Sequence, residues 1–219
     1  MMVPPPHSPH PVRGRPRSAE AHRAVLNAAS ELLAERGYAA TTIEEIAARS
    51  GVAKTTIYRR WPNRPALVVE LLLEVAARVA PPPRVGEDPL PTLRRELHLV
   101  AKASQGLAGR MLIALLGEAE RDPQLREALV QGLFTPRRKA TAAVVEWGQR
   151  TGVLRRGIPA LFATDLIFGP LFYRRFIRQE PVTKRFLDQT FDFAMQGLAA
   201  APFVRPSRPQ GRDRRAKRS

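Results

Sequence analysis

The sequence of 219 residues contains no cysteine. That excludes disulfides, a thiol nucleophile and a thiolate-bound metal. Aromatic residues are scarce, at 6%, while alanine and leucine are abundant, a balance that favours helix over sheet. No run approaches the roughly 18 to 20 apolar residues that a membrane span needs. The leading stretch MMVPPPHSPHPVRGRPRS has basic residues but no apolar segment behind them, so it does not read as a secretory signal. A cytoplasmic protein is the expectation. The four histidines are His7, His10, His22 and His98. None has metal-ligand spacing to a carboxylate on a helix, and no GxSxG, phosphate loop or dinucleotide fingerprint appears. The sequence therefore predicts no catalytic residue, no metal and no cofactor: a non-enzyme.

Acidic residues are also in short supply, 20 against 36 lysines and arginines, giving a formal net charge of +16 and a pI near 11.5. Such a surplus suggests a polyanionic partner, bound through phosphate neutralisation and counterion release. Much of it lies at the two ends, with Arg13, Arg15 and Arg17 in front and Arg205, Arg208, Arg212, Arg214, Arg215, Lys217 and Arg218 behind. Basic arms reach phosphates better than charges scattered over a globule.

The apolar fraction of 44% suffices for a folded core. Residues 1–16 are proline-rich and read as a disordered arm. A helical period starts at Ala19, placing Val25, Ala28, Ala29, Leu32 and Leu33 on one face, and Gly37 ends it. Two short helices follow within 41–61, and a fourth runs over about 64–80 until Pro81-Pro82-Pro83 stops it. Further amphipathic stretches extend to about 200, with Pro136 and Pro170 expected to break or kink two of them. The basic segment 202–219 reads as a disordered tail. No segment alternates like a strand. The fold class expected is all-α, with about nine helices.

Within 41–61, TTIEEIAARSGVAKTTIYRRW, Thr42 and Glu45 form a capping box. Ile43, Ile46 and Ala47 form the buried face of the first helix, and Ala47 is small where the next helix crosses. Gly51 falls at the sharp turn. Val52 and Ile57 pack the second helix back on the first. Lys54, Thr55, Thr56, Tyr58 and Arg59 are left for the outer surface. Short hydroxyls and a flexible ammonium suit base edges and phosphates, and the second helix of such a pair enters the major groove.

These residues carry a family resemblance. VLNAASELLAERGYAATTIEEIAARSGV, TTIYRRW and PNRPALV, spanning 19 to about 72, resemble the DNA-binding domain of TetR-family repressors. Trp61 stands where that family usually has phenylalanine, and Arg64 where it has lysine. The GPLFYRRF stretch at 169–176 is similar to the C-terminal domain of an actinobacterial subgroup. The resemblance implies a three-helix DNA-binding domain over 17–80, linked by its fourth helix to an effector-binding and dimerising helical bundle over 81–201. It implies that Thr41 or Thr42 touches a phosphate, that Lys54, Thr55 and Thr56 contact base edges, and that Tyr58 and Arg64 bind phosphates. Arg15 and Arg17 would follow the backbone or enter the minor groove.

For the second domain the resemblance implies a small-molecule effector and a homodimer. Met111, Leu115, Phe134, Trp147, Phe168 and Tyr173 are candidates to line an apolar cavity, with His98, Gln105 and Tyr173 as its polar groups. The two last helices are the expected interface, with Phe172, Phe176, Phe186, Phe191, Ala194 and Leu198 as candidates. The resulting expectation is a ligand-released repressor on a palindromic operator. The competing reading is a sequence-indifferent, nucleoid-type binder driven by the basic tails, which would lose affinity equally for all sequences as salt rises.

Overall fold

A computed structural model describes residues 15–201, with side chains from Ser18 onward. The helices are α1 (Arg15–Arg36), α2 (Ile43–Ser50), α3 (Lys54–Arg60), α4 (Arg64–Ala77), α5 (Pro89–Gln105), α6 (Leu107–Ala119), α7 (Pro123–Leu129), α8 (Thr135–Arg150), α9 (Ala160–Phe172) and α10 (Lys184–Leu198). A π turn, Val130–Phe134, joins α7 to α8 in one rod, and a second, Tyr173–Ile177, extends α9. Nine separate rods result among the described residues, and no strand, in agreement with the all-α expectation.

Helix ends follow local chemistry. Thr42, Asn63, Asp122 and Thr183 each accept a first-turn N–H at the start of α2, α4, α7 and α10. Of the break or kink expected at Pro136, no break occurs: the chain stays helical through it. The π turn lies immediately before it, with the Thr135 N–H donating to the Val130 carbonyl. This widened turn sits where the proline ring would otherwise press on the carbonyl four residues back. Pro170 likewise stays inside α9, and its π turn follows directly.

The chain forms two compact units that are not contiguous in sequence. One comprises the residues up to Val79 together with Gln105–Pro136, hence α1–α4, α6 and α7. Its core contains Leu26, Leu32, Ile46, Ile57, Trp61 and Leu67, drawn from the first four helices. Here α1 packs on α2 and α4, α2 on α3, and α4 on both α6 and α7. Ile46 and Ile57 are fully buried, each stabilising the unit by about 1.5–3 kcal/mol through area removed from water.

The other unit comprises Ala80–Ser104 and the residues from Arg137 on, hence α5, most of α8, α9 and α10. Leu93, Leu97, Val145, Ile167, Phe191 and Met195 fill its core. Arg94 fastens α5 to α10: its guanidinium lies 2.6 Å from Asp192 and 4.5 Å from the Phe191 ring centroid. Glu96 on α5 is buried, which pushes its carboxyl above the usual range, against the opposing pull of Arg137 at 2.7 Å.

Candidate DNA-reading surface

The helix pair α2–α3 is built outward from its caps. The Glu45 N–H donates to Thr42 Oγ1 at 3.2 Å, and the Thr42 N–H returns to Glu45 Oε2 at 3.0 Å, a complete capping box. Hydrogen bonds from the Thr42 backbone and hydroxyl hold the Glu45 carboxyl below its usual range. Arg49 pairs bidentately with Glu35, at 2.8 and 3.0 Å, and ties α2 to α1. Gly51 closes α2 at φ 69°, in the left-handed region where a side chain is strained.

Two anchors hold α3 inward. Ile57 is fully buried, and Trp61, 3% exposed, follows at the end of the helix. The Trp61 indole N–H donates to Glu70 of α4 at 2.6 Å, and its ring stacks on His22 of α1 at 5.4 Å between centroids. The replacement of phenylalanine by tryptophan at this position thus adds a hydrogen bond to the plug.

The opposite face of α3 is open. Lys54, Thr55, Tyr58 and Arg59 are exposed, with Tyr58 at 46%, and Thr56 is half-buried. Lys54 reaches Glu44 at 3.3 Å, a pairing between two exposed groups that competes only weakly with a phosphate. Thr55, Thr56, Tyr58 and Arg59 have no side-chain hydrogen bond or ion pair within the protein among the described residues. Five polar side chains on one face of a short helix, held from behind by an isoleucine and a tryptophan, make a surface for reading another molecule.

Two residues expected at DNA are placed otherwise. Thr41 is fully buried and its hydroxyl donates to the Gly37 carbonyl at 2.7 Å. Of the pair Thr41 or Thr42, only Thr42 remains exposed. Arg64 turns its guanidinium onto the protein, donating to the carbonyls of Thr41 at 2.9 Å and Tyr38 at 3.2 Å and stacking 4.0 Å from the Tyr38 ring centroid. Asp122 stands 3.6 Å away. Through Nη1, Arg64 thus acts as a strut for the loop before α2.

Tyr38 completes this strut by donating its hydroxyl to Asp122 at 2.8 Å. Burial, followed by that hydrogen bond to a carboxylate, pushes the phenol up to about 12. Burial of Asp122 works to raise its carboxyl, but the Leu125 N–H, the Tyr38 hydroxyl and the Arg64 charge together hold it low. Sequence reasoning missed Tyr38 and Asp122, which lie 84 positions apart. No spacing in the sequence pairs Asp122 with Tyr38.

Arg15 and Arg17 fall in the first turn of α1, and their side chains lie outside the described residues. Of the arm expected over 1–16, residues 1–14 lie outside the described residues while Arg15 and Pro16 already belong to α1, and the basic tail over 202–219 also lies outside them.

The eight effector candidates divide evenly between the units. Gln105, Met111, Leu115 and Phe134 belong to the first, and His98, Trp147, Phe168 and Tyr173 to the second. Leu115 and Phe168 are buried, and Met111 packs against the core of α1–α4. His98 lies 3.0 Å from Asp188, whereas Tyr173 is 57% exposed.

Among the interface candidates, Phe191, Ala194 and Leu198 are buried in the second unit's own core, at 1%, 7% and 4% exposure. Side chains that fill their own unit's core offer little surface to a second copy. Phe176 and Phe186 are half-buried, and Phe172, stacked on Phe176, is at the exposed edge. The apolar groups that do face out are Phe162, Leu166, Tyr173 and Ile177 along α9 and its extension, and Phe193 on α10. Their spacing of four, seven and four puts the first four on one helix face. An α9 apolar all round concealed this face in the sequence, and on α10 the open residue, Phe193, sits between buried ones.

Residues 25–71 match the family model for bacterial regulatory proteins of the tetR family, and residues 91–194 match the tetracyclin repressor-like C-terminal domain. The chain is 33% identical over 188 residues to the uncharacterised HTH-type transcriptional regulator YdeS of Bacillus subtilis, covering 86% of this chain and 94% of that one. It is 31% identical over 177 residues to the HTH-type regulator Rv1556 of Mycobacterium tuberculosis, over 77% of this chain and 81% of that one. Among solved structures, the TetR family transcription regulator SCO0332 superposes with a TM-score of 0.64 at 28% identity, covering 81% of this chain and 96% of that chain.

Proposed function

This chain belongs to the TetR family of DNA-binding transcriptional regulators, and from that premise we propose that it is a homodimeric, cytoplasmic repressor of a palindromic operator, released by a small molecule. The observation that carries the reading is the open polar face of α3. Lys54, Thr55 and Thr56 contact base edges, and Thr42, Tyr58 and Arg59 contact phosphates, which fix register without reading sequence. Arg15 and Arg17 add backbone or minor-groove contacts from the start of α1. Thr41 and Arg64 are assigned to shaping the reading head.

The exposed strip of Phe162, Leu166, Tyr173, Ile177 and Phe193 supports the dimer. Large apolar groups collected on one helix pair mark an interaction surface. A two-fold dimer presents two copies of α3, which is why the operator is palindromic. Phe172, Phe176 and Phe186 border the same helices.

Residues 81–201 supply the effector and dimer functions in this reading. Within the second unit, Trp147 and Phe168 favour an apolar or aromatic effector, with His98 as its polar group. A thermal-shift screen tests this directly: aromatic compounds should stabilise the full chain and release it from DNA. Stabilisation by highly charged metabolites alone would contradict it. Deleting residues 205–219 should weaken binding to all DNA while leaving sequence preference intact. Loss of preference with the tail would return the nucleoid-type reading.

A further inference from the structure

The cluster of His22, Glu70 and Glu74 lies behind the reading surface and has no part in contacting DNA. Glu70 and Glu74 stand one turn apart on α4, so their side chains share a face. His22 comes from α1, 52 positions before Glu74, and sequence spacing cannot reveal such a set. His22 Nε2 lies 3.0 Å from Glu74 Oε1 and 3.8 Å from Glu70 Oε1, and all three donor atoms fall within 4.8 Å of one another.

We propose that these three side chains form a binding site for a divalent transition-metal ion of the Zn²⁺ type, clamping α1 to α4. Bonds of about 2.0–2.2 Å put the donors of a tetrahedral ion roughly 3.3 Å apart, a spacing that the observed separations bracket. One imidazole with two carboxylates suits Zn²⁺ and its neighbours better than Mg²⁺ or Ca²⁺, which prefer all-oxygen shells. The three ligands leave a fourth position for water, and the side of the cluster carrying Glu74 is open enough for an ion to enter, Glu74 being 42% exposed.

The surroundings resemble the outer shell of a metal centre. The Trp61 indole N–H fixes Glu70 through Oε2 at 2.6 Å, leaving Oε1 turned toward His22. Two features weaken the affinity. Arg60 donates to the same Glu70 Oε1 at 3.0 Å and must swing away, which its 49% exposure permits. His22 Nδ1 is buried without a hydrogen-bond partner, so the imidazole proton that moves there on metal binding finds no acceptor. Because Trp61 closes α3 and is fastened to both Glu70 and His22, an ion here would brace the reading helix from behind.

The test is calorimetric titration of the chelator-stripped full chain with Zn²⁺, repeated with Co²⁺ to follow its ligand-field absorption. We expect one site per chain that survives His7→Ala/His10→Ala but weakens about 10-fold or more in His22→Ala and in Glu74→Gln. Glu74→Gln preserves side-chain shape, so it decides the matter if His22→Ala fails to fold. Absence of binding in the parent chain, or undiminished binding in Glu74→Gln, overturns the proposal.

Discussion

The two surfaces offered to other molecules are built on opposite principles. The face of α3 is polar, with Lys54, Thr55, Tyr58 and Arg59 presented by a helix whose only deep anchors are Ile57 and Trp61. The face of α9 and α10 is apolar, with Phe162 at 60%, Ile177 at 72% and Phe193 at 69% exposure. A surface for DNA keeps its side chains solvated until a polyanion displaces counterions, and its affinity is therefore tunable by salt. A surface for another protein copy gains by removing apolar area from water, a contribution that salt does not screen.

The largest effect is expected where the polar face depends on its anchor. Ile57→Ala should cost about 2–5 kcal/mol of stability and abolish DNA binding, measured by urea unfolding and fluorescence anisotropy. Retained operator affinity would show that α3 does not need its buried side. Next, Phe162→Asp with Phe193→Asp should shift sedimentation from dimer to monomer with helical content unchanged. A dimer surviving both charges would move the interface elsewhere.

Tyr58→Ala should weaken operator binding by about 1–2 kcal/mol, roughly tenfold, without unfolding. An unchanged affinity would remove Tyr58 from the phosphate contacts. The smallest effect concerns the strut beneath α2. The Tyr38 phenol is raised to about 12 in the folded chain, against 10.0 in an ordinary tyrosine. Its neutral form is thus favoured by folding, a contribution complete below pH 10 and lost as pH rises toward 12. Tyr38→Phe should flatten this loss in unfolding measured between those limits; an identical slope would show that the Tyr38 phenol is not raised by folding.

The same contrast explains what the sequence could disclose. The reading head is local: the Thr42–Glu45 box, Gly51 and Ile57 all act within about twenty residues, and their geometry could be anticipated from spacing alone. The all-α class and the nine rods were equally legible, from helical periodicity and from the prolines and glycines between segments. What escaped depends on distant pairs. Tyr38 meets Asp122 across 84 positions, and His22 meets Glu74 across 52. Thr41 and Thr42 are neighbours of the same residue type, and only the turn of the chain decides which one is buried. On α10 the pattern marks one apolar face, and only packing shows that Phe191 and Ala194 fill the core while Phe193 faces out.

The central claim is that paired copies of α3 read a specific palindrome. Selecting bound sequences from random DNA with the full chain at physiological salt, then measuring stoichiometry and competition on the winner, tests it most directly. The expected result is one inverted repeat, bound by two or more protomers in symmetric pairs and preferred over unrelated DNA by at least about 10³-fold. Enrichment of no repeat, with equal loss of affinity for all sequences as salt rises, would contradict it.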